Sequence, residues 1–223
     1  MEVPVPRAQS EAMKTSLLIA GILAAGMTAH ARDSKPADVT VYVQGDNKAP
    51  ASVDQGARAT VTWMFARVGV RLAWRDGEPR TGAAYGSPVT IKVRFVERDP
   101  DDSRREALAC AMPFAEEGVA IYVMYDRIHW VARRSSREAP ILAHVLAHEI
   151  GHVLQGTNAH AQTGVMKAHW NGQDFDAMER KPLEFTSLDV DLIKDGLNLR
   201  KARSGGSTVV AAGAVLAADG NFH

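Results

Sequence analysis

The feature that most restricts this chain is His148-Glu149-Ile150-Gly151-His152, read on through Gly156 and His160 to Gly164-Val165-Met166. Residues four apart on a helix lie one above the other, so His148 and His152 can turn an imidazole nitrogen each toward one metal ion. The helix that carries them has Ile141, Leu142, Val145, Leu146, Val153 and Leu154 to bury against a sheet. Glu149 follows the first ligand directly, which puts its carboxylate beside the metal rather than on it, where it can accept a proton from the reacting water. Gly151 keeps the helix slim where another group must come close. A catalytic zinc takes three protein ligands and keeps an open position, so a third must come from beyond the helix. Gly156 is suited to a left-handed C-terminal position that turns the chain out, and His160 then returns within reach. The predicted zinc ligands are therefore His148, His152 and His160. His144 lies one turn before His148 on the same face, as a competing ligand or as packing; three histidines along one straight helix cannot converge on a tetrahedral ion.

Taken together, the run HEIGHVLQGTNAHAQTGVM resembles the metzincin metallopeptidases, whose pattern is H-E-x-x-H-x-x-G-x-x-H followed by a methionine-containing turn. The order of His, Glu, His, Gly, His and Met is kept, with one extra residue on each side of Gly156; Asn158 stands where the pattern has its third histidine. The short gap from His160 to Met166 is similar to that of matrixins and archaemetzincins. Ala168 occupies the place where some members carry a tyrosine ligand. The resemblance implies an α+β fold: a twisted mixed β-sheet packed on an N-terminal helix and the zinc helix, with a further helix at the C-terminal end. It implies peptide-bond hydrolysis with Glu149 as general base and Met166 as a support under the metal. It also implies an edge strand, here Leu108, Ala109, Cys110, Ala111 and Met112, that pairs with an extended peptide; an ordinary protected sheet edge is the competing reading. The region after Met166 would wall the pocket for the residue after the scissile bond, with Trp170 and Phe175 as candidates and core packing as their alternative.

The remaining sequence sets the context for that motif. With 26 basic and 26 acidic side chains in 223 residues, nothing electrostatic points to nucleic acid. Residues 13–31 (MKTSLLIAGILAAGMTAHA) combine a lysine, an apolar run and an Ala-His-Ala site, the pattern of a secretory signal peptide cleaved after Ala31. The apolar run falls short of the roughly 20 residues that span a bilayer, so no stable membrane insertion is expected after cleavage. Residues 1–12 then read as an upstream-start artefact or extension, residues 32–203 as the domain, and residues 204–223, rich in Gly, Ala and Ser, as a flexible tail or a loosely docked strand. Cys110 is the sole cysteine, which excludes an internal disulfide and leaves a buried thiol. The expected location is secreted or periplasmic, the partner a peptide or protein substrate.

Hydrophobic pattern places the other elements. Strands are expected at 38–44, 70–74, 89–96, 108–114 (an edge, because of Pro113) and 119–125 (buried on both faces). A first helix with Ser52 and Gln55 as capping box would bury Ala57, Val61, Met64, Phe65 and Val68 and stop at Gly69. The zinc helix is expected to begin near Pro140 with Ser135, Ser136 and Glu138 as capping groups, a polar loop to run to about Pro182, and a last helix to start from Thr186 and Asp189 with Val190, Ile193 and Leu197 inward. Two other function classes fit the same residues: an exported zinc-stabilised binding or structural domain, and a zinc hydrolase acting on a non-peptide amide.

Overall fold

In the computed structural model, residues 37–45, 49–79, 89–98, 107–112 and 119–216 are described. The expected extension 1–12, signal peptide 13–31, the loop over 80–88, the charged segment 99–105, Pro113 and Phe114, and the last residues 217–223 lie outside them.

Strands β1 (Val39–Gln44), β2 (Leu72–Asp76), β3 (Val89–Phe95), β4 (Ala109–Met112) and β5 (Ala120–Val123) form one sheet in the order β2-β1-β3-β5-β4. All pairings are parallel except β4 with β5, so β4 is an antiparallel edge. In β3 the alternation is clear: Val89, Ile91, Val93 and Phe95 are buried, and the residues between them half-buried. In β1 there is no alternation: all six of its residues are buried, in a strand with parallel neighbours on both sides. This α+β arrangement, with a mixed sheet, agrees with the fold class read from the sequence.

The helices are α1 (Ala51–Arg67), α2 (Tyr125–Ala132), α3 (Glu138–Gln155), α4 (Gly172–Arg180) and α5 (Ser187–Leu216). α3 is the hub, packing against α1, α2, α4, α5 and strand β4. The stripe on α1 is as expected, with Ala57, Val61, Met64 and Phe65 buried and Val68 half-buried. Its cap is not. The chain enters α1 at Ala51 from extended Pro50, and no side chain caps the helix, so Ser52 and Gln55 already lie inside the helix. α3 likewise has no side-chain cap: a 3-10 turn over Ser135–Arg137 runs straight into it, and Ser136 donates instead to Glu179. Pro140 thus sits within the first turn, where its missing N–H leaves no bond unmade.

Two helices lie where none was expected. Tyr125, at the end of the expected inner strand, opens α2, which buries Tyr125, Ile128 and Ala132 on one face. The expected polar loop before Pro182 contains α4, opened by a complete capping box in which the Asn171 side chain accepts from the Gln173 and Asp174 backbone and Asp174 accepts from Asn171 N–H. At α5 the Thr186–Asp189 cap is present, with Ile193 and Leu197 buried and Val190 half-buried. The backbone of α5 is helical through residue 204 to Leu216. Among the described residues no helix is long and apolar enough to cross a membrane.

Candidate metal centre

His148 and His152 project from the C-terminal half of α3, and the chain then reverses to bring His160 back. Gly156 makes the reversal at φ +69°, its N–H bonded to the His152 carbonyl, a left-handed position that side chains rarely adopt. The Ala161 N–H then donates to Met166 O and the Lys167 N–H to Gly164 O, closing the 161–167 segment on itself. One ring nitrogen from each of His148, His152 and His160 falls within 4.8 Å of the others, so the three could hold a metal ion. His148 and His152 are half-buried and His160 is exposed, which grades the cluster from interior to solvent.

The hydrogen bonds say which nitrogens are available. His148 Nδ1 lies 2.8 Å from Val165 O, and His152 Nδ1 lies 2.9 Å from Thr157 O. A carbonyl only accepts, so both Nδ1 atoms carry the proton and both Nε2 atoms are bare. Burial pushes His148 down to about 4 and lowers His152 as well, against the pull of those carbonyls, so near neutral pH both rings are uncharged. Yet the two Nε2 atoms face each other at 2.9 Å. Two lone pairs at that distance cannot hydrogen-bond; a cation between them resolves the conflict. Neutral imidazoles held by second bonds to backbone carbonyls are a donor set that suits zinc and other first-row divalent metals.

His144 has a different fate on the same helix. Its ring is fully buried, Nδ1 donates to Pro140 O at 2.6 Å, and Nε2 accepts from Leu183 N–H at 2.8 Å. With both nitrogens engaged it is no ligand, and burial holds it neutral with a value of about 4.

The histidine cluster opens onto a cleft of about 1120 Å³. One wall is the sheet edge: Leu108, Ala109, Cys110, Ala111 and Met112 all line it, with Cys110 buried. Val145, His148, Glu149 and His152 of α3 also line it, together with Val131, Trp170 and Phe175. Met166 is fully buried; its Sδ would lie 2.6 Å from a Cβ added at Gly151, so the slim point on the helix admits this side chain. Every site residue expected from the sequence is thus in or directly behind one cleft. Lys167 and His169, which also line it, were not anticipated, although their place just after Met166 was a signal. Asn158 and Ala168, the two positions that depart from the resembled pattern, line it too. No protein-family model and no curated protein matches this chain.

Proposed function

We propose that the protein is an exported, zinc-dependent endopeptidase of metzincin type. The observation that carries this reading is the pair of bare, facing imidazole nitrogens on α3, joined by His160, in a cleft that edge strand β4 also lines. His148, His152 and His160 would hold the ion. When bound, zinc supplies Lewis-acid polarisation of the scissile carbonyl and lowers the pKa of water toward about 7.

The chain's own residues do the rest. Strand β4, antiparallel at the sheet edge, offers backbone groups to an extended peptide, which aligns one carbonyl with the histidines. Glu149 accepts the proton of the attacking water and returns a proton to the amine nitrogen as the carbon–nitrogen bond breaks. Trp170, Phe175, Val131 and Val145 exclude water from the flanking pocket. Export rests on the segment 13–31 alone.

The test is cleavage of an unstructured protein by wild type and Glu149→Gln, each with its zinc content measured. The reading expects cleavage by wild type that a chelator stops, and a loss of about 10²–10⁴-fold in kcat with zinc retained in the variant. A zinc-loaded wild type that cleaves no peptide bond would instead favour the structural zinc domain, which unfolds in chelator without having cut anything.

A further inference from the structure

We propose that His144 is a positioning residue, which fixes the orientation of His148 through Leu183, Glu184 and Val165. The inference rests on reading His148 as a metal ligand, and it concerns what keeps that ligand aimed.

The path is continuous. His148 Nδ1–H donates to the carbonyl of Val165 at 2.8 Å. The N–H of the same residue, Val165, donates to Glu184 O at 3.1 Å. One residue back, Leu183 N–H donates to Nε2 of His144 at 2.8 Å, and His144 Nδ1–H closes the circuit onto Pro140 O of α3 at 2.6 Å. The 183–184 segment is therefore a strap, tied at one end to the helix and at the other to the turn that carries the acceptor for His148. Neighbouring features leave the strap little freedom. Gly164, at φ +77°, has the Glu184 carbonyl where its Cβ would be, so a side chain there would push strap and turn apart. The Trp170 ring stands edge-on to both imidazoles, 6.3 Å from His144 and 5.4 Å from His148 between centroids.

A fully buried imidazole is a costly way to fill space, and an apolar side chain would pack as well there. What histidine adds is an acceptor for the Leu183 N–H at a fixed distance from the helix, held in one tautomer by Pro140 O. Outer partners of metal ligands typically change metal affinity 10–100-fold, by fixing the ring's tautomer and direction. His144 sits one link farther out, so the lower end of that range is expected.

The experiment compares wild type, His144→Gln and His144→Leu by imidazole nitrogen NMR of the metal-free protein and by cobalt(II) binding. Glutamine places a side-chain oxygen near the position of Nε2 and keeps an acceptor for Leu183; leucine offers none. The expected result is that His148 carries its proton on Nδ1 in wild type and the Gln variant, with cobalt affinities within about threefold, while the Leu variant shows mixed His148 tautomers and about tenfold weaker cobalt binding. An unchanged His148 tautomer and unchanged cobalt affinity in the Leu variant would overturn the proposal, as would an equal loss in both variants, the mark of mere packing. Should His144→Leu fail to fold, His144→Asn takes its place, since asparagine reaches Pro140 O but not Leu183. If wild type binds no cobalt, the metal reading fails, and the tautomer comparison still decides whether His144 governs His148.

Discussion

Along one face of α3, His144 and the pair His148 and His152 are a single turn apart and chemically opposite. At His144 both ring nitrogens are used within the protein, one by Pro140 O and one by Leu183 N–H. At His148 and His152, among the described residues, Nδ1 donates to a backbone carbonyl and each Nε2 faces only the other. Burial keeps all three neutral, so charge does not separate them. The difference is where the following chain goes: the strap over 183–184 covers the first turn, and the reversal at Gly156 leaves the second open to the cleft. What suits His148 and His152 to a metal is that, among the described residues, each Nε2 has no neighbour to bond but the other.

The comparison breaks most directly if one substitution acts alike at both turns. His148→Gln should weaken zinc binding by more than about a hundredfold, beyond the loss typical of an outer partner, whereas His144→Gln should leave it within about threefold. Chelator competition on the two purified variants reads this, and equal effects would erase the distinction.

Next in size is an effect of acid on folding. Folded His144 titrates at about 4, while an unfolded histidine titrates near 6.5. Lower pH therefore favours the unfolded chain: the stability from keeping His144 neutral is complete above about 6.5 and is lost as pH falls toward 4, an amount on the order of a few kcal/mol. Thermal melts of metal-free wild type and His144→Gln across that window should show the steeper decline in wild type. Parallel curves would mean that His144 does not titrate as its burial requires.

The smallest effect sharpens the account of the cleft wall. Asn171→Ala removes the α4 cap at an exposed position and should cost about 1 kcal/mol, read as a small drop in melting temperature with zinc content unchanged. A loss of zinc on this change would tie α4 to the metal centre more closely than its packing implies.

How much was legible beforehand follows from what each feature depends on. The histidine-bearing helix, the turn at Gly156, the return to His160 and the edge strand could be read because helical period, glycine's left-handed freedom and strand pattern are local properties. α4 was local too: Asn171 and Asp174 form the same kind of box as Thr186 and Asp189, but a short polar segment lacks the apolar stripe that draws notice. α2 was hidden because Tyr125 continues an apolar run, and only the packing of Ile128 and Ala132 decides that the chain bends into a helix there. The role of His144 could not be read at all, since its partner Leu183 lies 39 residues away and is brought to it only by the fold.

Three imidazoles, two on α3 and one on its return loop, are proposed to form one metal site. Elemental analysis of the purified protein beside its His160→Ala variant tests it most directly. The account predicts one zinc per wild-type chain and far less in the variant; folded wild type without zinc, or full zinc content in His160→Ala, would contradict it.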